Sequence, residues 1–266
     1  MSFLRYPGGK RKLINFLLTY LPKSDEIKGK YVEPFIGGGS VFFQVQPKLA
    51  LLADLNKELI DLYKGIRLYP HKIWKIFQSF PGGKINYYEI RDQDLKGKHL
   101  SYRAARTLYL NRTCFKGMWR HGSKGNFNVG YGGEERRWVV THENIVEVSK
   151  SLKTSSLYYA DFESTLHQVE EHDFVFIDPP YKPGEKELKN SHYISSNFAF
   201  AEQKRLAEQV LGLSTKKNIK WLMTNSSHEE IVKLYKNFNV VKIPKGTSST
   251  IGVYTNESRE VLISNY

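Results

Sequence analysis

The sequence predicts an α/β fold, a doubly wound nucleotide-binding sheet interrupted by a mostly helical insertion. Three observations carry that prediction. A strand, a glycine loop and a helix start follow one another from Tyr31 to Phe43, and a second strand ends in Asp54. The alternation of strands and helices lapses between residues 57 and 145. It resumes with an apolar strand, Phe174 to Ile177, that stops at Pro179-Pro180. Residues 1–56 and 146–266 are therefore read as one α/β domain, and 57–145 as an inserted element.

With 266 residues, 40% of them hydrophobic, the chain is long enough for one large domain plus that insertion. No apolar stretch reaches the length of a membrane helix. The N-terminal residues lack the apolar core of a signal peptide. A single cysteine, Cys114, excludes an intramolecular disulfide and a Cys-rich metal cluster. The eight histidines are scattered, so no metal site is expected. The expected compartment is the cytosol, and the expected state a monomer without an obligate protein partner. The net charge is +13. Between Asp94 and Glu134 there is no acidic residue, while Lys96, Lys98, Arg103, Arg106, Arg112, Lys116, Arg120 and Lys124 alternate with Tyr102, Tyr109, Phe115, Trp119, Phe127 and Tyr131. Cations interleaved with aromatics suit phosphate contact and base stacking, so nucleic acid is the expected partner.

In chain order, Arg5-Tyr6-Pro7-Gly8-Gly9-Lys10 comes first. Its glycines allow close backbone approach to a ligand, and Lys10 can meet a carboxylate or phosphate. A helix is expected from Leu13 to Leu21. Tyr31 to Phe35 reads as a strand running into Ile36-Gly37-Gly38-Gly39-Ser40. The strand Leu49 to Ala53 ends in Asp54, about twenty residues past the loop, where a carboxylate is expected on ribose hydroxyls. This spacing fits an adenosine-containing cofactor without distinguishing a dinucleotide from S-adenosylmethionine. Glu33, just before the loop, would repel a pyrophosphate and suits a cationic ligand. In the insertion, apolar spacing marks helices around Leu59–Ile66, Ile73–Phe77 and Ala104–Tyr109, followed by a basic, glycine-studded loop from Lys116 to Gly133. Thr141 is a helix N-cap. The strand Leu157 to Ala160 leads to Asp161-Phe162, a carboxylate and ring suited to adenine's amine and face. After Tyr181 a polar loop runs to Asn197. A helix around Leu206–Leu213, a strand Ile219–Thr224, a helix around Ile231–Phe238 and a closing strand pair, Val240–Ile243 with Glu260–Ile263, complete the chain.

Asp178-Pro179-Pro180-Tyr181 organises the rest. Neither proline can donate to a ladder, so the strand ends there and Asp178 lies at its carboxyl end, where open α/β sheets bind ligands. A carboxylate beside a rigidly placed aromatic ring suits a flat, amine-bearing ring.

With these pieces in order, the chain resembles the Dam-type DNA N6-adenine methyltransferases over essentially its whole length. The motifs are Phe-Leu-Arg-Tyr-Pro-Gly-Gly-Lys (3–10), Val-Glu-Pro-Phe-Ile-Gly-Gly-Gly-Ser (32–40), Ala-Asp-Leu-Asn (53–56), Leu-Asn-Arg (110–112) with Gly117 and Arg120, Phe-Asn-Val (127–129) and Asp-Pro-Pro-Tyr (178–181). The resemblance implies a Rossmann-like methyltransferase fold with a target-recognition insertion, S-adenosylmethionine as methyl donor and double-stranded DNA as substrate. It makes Asp178, Pro179, Pro180 and Tyr181 the catalytic motif. Cofactor contacts are expected from Tyr6, Lys10, Glu33, Pro34, Phe35, Gly37, Gly39, Ser40, Asp54, Asp161, Phe162 and Asp178. DNA contacts are expected from Arg5, Asn111, Arg112, Phe115, Lys116, Met118, Arg120 and Lys124. The inherited target is GATC. Here Tyr6 stands where the family often has Trp, Arg5 where it has Lys, and Phe115-Lys116 where it has Tyr-Asn. An RNA-base methyltransferase shares the Asp-Pro-Pro-Tyr pocket and is the alternative. A nicotinamide dehydrogenase explains the glycine loop but neither that motif nor the basic insertion.

Overall fold

The structure, a computed structural model, describes residues 3–122, 125–181, 198–243 and 259–266. Its frame is a seven-stranded sheet. The strands are β1 (Tyr31–Glu33), β2 (Ala50–Asp54), β3 (Ser155–Tyr159), β4 (Phe174–Ile177), β5 (Lys220–Ser226), β6 (Asn239–Lys242) and β7 (Glu260–Ser264). They lie in the order β3-β2-β1-β4-β5-β7-β6. All pairs from β3 to β5 are parallel, and β7 is antiparallel to β5 and β6. This is the expected doubly wound, Rossmann-like sheet. Its order reverses between β1 and β4, so a crevice opens beyond their carboxyl ends.

Strand composition sets the layers. In β4 all four residues, Phe-Val-Phe-Ile, are buried, as in a strand covered on both faces. Alternate side chains feed two cores. Val32, Val175, Ile177, Met223 and Ile263 pack with α8 (Phe162–Leu166), α9 (Phe200–Ser214) and α10 (Glu229–Leu234) on one face. Tyr31, Phe174, Phe176, Leu222 and Leu262 face the other, larger core. That core also takes α1 (Ile14–Leu17), α2 (Phe42–Val45), α3 (Lys57–Leu68), α4 (Pro70–Ser79), α5 (Lys84–Arg91), α6 (Leu100–Thr113) and α7 (His142–Ser151). Helix α3 packs on β2 and β3 and also on α6, so apolar contact continues from sheet into insertion.

Several boundaries differ from expectation. The first helix is one α-helical turn after a 3-10 turn at Lys10–Lys12; Leu13, Leu17 and Leu21 are still buried, but the chain turns after Leu18. β1 stops at Glu33 because Pro34 has no N–H for the ladder. β3 starts at Ser155 and ends at Tyr159, and α10 ends at Leu234. Helix α5 was not expected; its signal is the pair Tyr87 and Ile90, both buried. β6 and β7 do pair. The polar loop 182–197 lies outside the described residues.

Two residues expected on DNA, Asn111 and Arg112, are buried and hydrogen-bonded within the protein. Asn111 pairs with the backbone of Arg5: Arg5 N donates to its Oδ1 at 2.9 Å, and its Nδ2 donates to Arg5 O at 2.6 Å. Arg112 is buried and donates through Nε and NH2 to the Arg136 carbonyl, at 2.8 and 2.5 Å. Burial pushes its guanidinium down to about 10, with Arg5 and Arg136 adding to the shift. Arg106, in the same basic stretch, is also buried on the carbonyls of Ile90 and Arg91. These side chains hold the insertion and the N-terminal segment together. Replacing Asn111 by Ala should therefore cost about 1–3 kcal/mol of stability, by leaving buried backbone groups unpaired. It should leave the salt dependence of DNA binding unchanged. Denaturant unfolding and binding titrations at several salt concentrations check this; a lost phosphate contact would instead reduce the salt slope by about one.

Candidate active site

Neighbouring strands place three carboxyl groups around the crevice: Glu33 ends β1, Asp54 ends β2, and Asp178 follows β4. Asp178 Oδ1 lies 2.7 Å from Lys10 Nζ and accepts a hydrogen bond from Thr224 Oγ1 at 2.6 Å. Lys10 is only 6% exposed. Its ammonium also donates to the Gly8 carbonyl at 3.1 Å and lies 4.7 Å from the centre of the Tyr181 ring. Burial alone pushes the Lys10 ammonium down; the Asp178 carboxylate, helped by Tyr181 and Glu260, raises it on balance, so it stays charged. The Tyr181 hydroxyl is pushed up by burial and stays neutral. The Pro180 carbonyl accepts from Gln203 Nε2 at 2.9 Å.

Asp54 holds the glycine loop. Its Oδ2 accepts from Gly37 N at 3.0 Å and its Oδ1 from Asn56 N at 2.9 Å. Burial pushes this carboxyl up to about 6, against the pull of the two backbone donors. The loop needs glycine. Gly37 has φ +44°, and a Cβ there would come within 2.9 Å of the Tyr6 ring. Gly39 has φ +66°, and its Cβ would meet the Phe43 ring at 2.6 Å. Tyr63 closes the loop by donating to the Gly37 carbonyl at 2.7 Å. Tyr6 thus lies on the loop, its ring 5.6 Å from Trp119. Ser40 and Phe35 are half-buried beside it, and Pro34 is buried.

Three residues expected on the cofactor, Glu33, Asp161 and Phe162, have partners within the protein. Glu33 is buried and accepts from the Tyr31 hydroxyl at 2.7 Å; burial raises its carboxyl well above the usual range. It is a core group here, held by that hydrogen bond. Phe162 is a core residue, 5.5 Å from Phe35, with the Arg205 guanidinium 4.3 Å from its ring centre. Asp161 caps α8 through Glu163 N at 3.0 Å and pairs with Arg205 at 2.8 Å. Both belong to the packing of α8 on α9. Phe35, beside them, is the more open ring.

The loop after α6 folds back as a ribbon, with isolated bridges between Cys114 and Tyr131 and between His121 and Phe127. Phe115 is 49% exposed, and Lys116, also exposed, takes a left-handed conformation at φ 52°. Lys116 Nζ is 5.3 Å from the Phe115 ring centre. Arg5 crosses Gly117 so closely that a Cβ there would be 2.5 Å from the Arg5 side chain. Met118 and Arg120 are half-buried. Arg120 Nε donates to Asn128 Oδ1 at 2.8 Å, which fixes one edge of the guanidinium. Lys124 lies outside the described residues. Arg5, Phe115, Lys116, Met118 and Arg120 are therefore brought together on one ribbon and the strap beside it; Asn111 and Arg112 support it from below.

The sequence profile of the D12 class N6 adenine-specific DNA methyltransferases matches residues 6–248. The chain belongs to that family. Two Type II methyltransferases, from Lactococcus lactis subsp. cremoris and Methanocaldococcus jannaschii, are each 32% identical to it, over 99% of this chain and 95% and 98% of their own. The DNA adenine methylase of Escherichia coli strain K12 is 28% identical, over 94% of this chain and 90% of its own. The fold is accordingly the Rossmann-like fold of a methyltransferase with an insertion. Among the described residues, no helix is long and apolar enough to cross a membrane, and no group of three or more His, Cys, Asp or Glu could hold a metal ion.

Around Asp178-Pro179-Pro180-Tyr181 stand three residues that the sequence did not mark as part of a site: Thr224, Gln203 and Glu260. The only signal was polarity at the end of an apolar strand, in Thr224-Asn225-Ser226. Glu260 opens β7 and is buried; burial pushes its carboxyl up, Lys10 pulls it back and Asp178 pushes it up again, leaving it at about 7. The folded protein then holds this proton over a range where the unfolded chain, with an ordinary Glu near 4.5, has lost it. Stability from this group is present below the unfolded value and is lost as pH rises through about 7. Relative to Glu260→Gln, the wild type should lose on the order of 1–3 kcal/mol between those limits. Denaturant unfolding at pH 4.5, 6 and 8 measures it; a pH-independent difference would remove the shift.

Proposed function

We propose that this enzyme transfers a methyl group from S-adenosylmethionine to N6 of an adenine flipped out of a specific site in duplex DNA. One observation carries the reading: a nitrogen bearing N–H donors, the Lys10 ammonium, already sits where the Asp178 carboxylate and the Tyr181 ring converge. An adenine amine attached to a flat ring asks for the same two partners.

The amine nitrogen is a poor nucleophile because its lone pair is delocalised into the ring, and within a duplex it is stacked out of reach. Tyr181 supplies a face for the extruded base. Lys10 and Thr224 both engage Oδ1 of Asp178, so Oδ2 is the acceptor assigned to one amine hydrogen, and the Pro179 carbonyl takes the other. Both pull the nitrogen toward tetrahedral geometry, and Asp178 is the first acceptor for the proton released. Positioning and electrostatics account for the rate, with no covalent enzyme intermediate.

The residues present fit the cofactor. When bound it supplies an electrophilic methyl group on a sulfonium. Three carboxyl groups, those of Asp54, Asp178 and Glu260, lie at the crevice and favour a cation. The glycine loop, Tyr6 and Phe35 form the wall against which an adenosine would lie. Asp54, already holding Gly37, keeps lone pairs for ribose hydroxyls.

Residues 57–145 serve as the target-recognition element on this reading, and 1–56 with 146–266 as the catalytic one. The chain acts as a monomer, and GATC is the expected target. Arg120 reads a guanine: Asn128 accepts from its Nε at 2.8 Å and from its NH2 at 3.3 Å, which leaves the NH1 side for the base. A guanidinium on a loop entering the major groove can donate twice to guanine O6 and N7. Treating plasmid free of adenine methylation and mapping the product should find N6-methyladenine at GATC alone. Arg120→Ala should then lose about 1–3 kcal/mol on that site and relax discrimination at one guanine. An equal loss on every single-base variant would make Arg120 a backbone contact. Modification of RNA in preference to duplex DNA would overturn the reading.

A further inference from the structure

The end of β5 is chemically odd. After Trp221, Leu222 and Met223 come Thr224 and Asn225, both fully buried. Buried hydroxyl and amide groups destabilise a fold unless they are hydrogen-bonded, so their partners define what they are for. β4 and β5 pair Ile177 with Met223, which brings Asp178 beside Thr224. Strand alternation then sends Thr224 and Asn225 to opposite faces of the sheet.

Each face holds one end of Asp178-Pro179-Pro180-Tyr181. On one, the Thr224 hydroxyl donates to Asp178 Oδ1 at 2.6 Å. On the other, Asn225 Nδ2 donates to Gln203 Oε1 at 3.0 Å, and Gln203 Nε2 donates to the Pro180 carbonyl at 2.9 Å. Gln203 projects from α9 and is itself fully buried. Asn225 is oriented in turn, its Oδ1 accepting from Ser226 N at 2.7 Å. Two prolines in succession have no N–H, so the segment cannot be pinned by ladder donors. Its carboxylate and its carbonyls are the available handles, and these residues take one of each. Fixing the Pro180 carbonyl fixes the peptide plane leading into Tyr181, and with it the direction of the ring.

We propose that Thr224, Asn225 and Gln203 form a two-sided clamp that aligns the Asp-Pro-Pro-Tyr segment and are positioning residues for methyl transfer. The proposal rests on the reading that Asp178 and Tyr181 receive the adenine. None of the three needs to touch substrate. Their effect is on the angle between carboxylate and ring, and hence on the chemical step more than on binding.

The test uses the full chain with Gln203→Met, which keeps volume and removes both hydrogen bonds, Thr224→Val, which removes only the hydroxyl, and Thr224→Ser, which restores it. Thermal unfolding reports folding. Binding of S-adenosylhomocysteine and of target duplex is titrated, and 2-aminopurine at the target adenine reports extrusion of the base. Single-turnover methylation reports the chemistry. Gln203→Met and Thr224→Val should bind both ligands and extrude the base within about threefold of wild type while methylating about 100-fold more slowly, the loss that misplacing reacting groups by an ångström brings. Thr224→Ser should recover most of the rate. If Gln203→Met does not fold, the Thr224 pair decides. Folded variants that methylate at the wild-type rate, or whose loss lies equally in DNA binding, would overturn the clamp. Asp178→Ala run alongside separates the two levels: if it remains active, the underlying reading of the site fails; if it is inactive while the clamp variants are fast, only the clamp fails.

Discussion

The ion pair between the buried Lys10 and the half-buried Asp178 is the constraint on which the site depends. Taking two charges out of water is costly, and such a pair persists only where further hydrogen bonds satisfy both partners. Here the Gly8 carbonyl and the Tyr181 ring attend the ammonium, and Thr224 attends the carboxylate. The pair also fixes a path. Lys10 can reach Asp178 only if the segment before it runs across the carboxyl edge of the sheet. Along that path Arg5 is held by Asn111 on α6, and Tyr6 is pressed on Gly37 and Gly38. One strap thus touches helix α6, the glycine loop and the Asp178 carboxylate.

The electrostatics follow from the same geometry. Asp178 pairs with Lys10 and Glu260 lies near enough to act on both, while Glu33 and Asp54 end the neighbouring strands. Burial raises the carboxyls of Glu33, Asp54 and Glu260, and the nearby Asp178 charge adds to the rise at Glu33 and Glu260. A crevice so arranged favours a cationic ligand, and S-adenosylmethionine carries its positive sulfur where a methyl group must be delivered.

The frame of this arrangement was legible in the chain. Pro179-Pro180 could only end a strand, which placed Asp178, and the glycine loop with Asp54 marked the first βαβ unit. Burial was not legible. Arg106, Arg112 and Asn111 lie in a basic stretch that reads as surface, yet they hold carbonyl and amide groups inside the insertion, because backbone turns need donors that apolar residues cannot give. Asp161-Phe162 had the right chemistry for adenine but is spent on α8 and Arg205. Gln203 and Thr224 left almost no trace, since their partners lie on other elements and only the sheet register brings them together.

The most direct test is the crystal structure of the enzyme with S-adenosylhomocysteine and a duplex carrying its target adenine. The account predicts the adenine out of the stack, its ring on Tyr181, its amine within hydrogen-bond distance of Asp178 and the Pro179 carbonyl, and the Lys10 ammonium displaced from the Tyr181 ring. An adenine still stacked in the duplex with specific contacts formed, or an amine bound away from Asp178 while Lys10 keeps its present place, would contradict it.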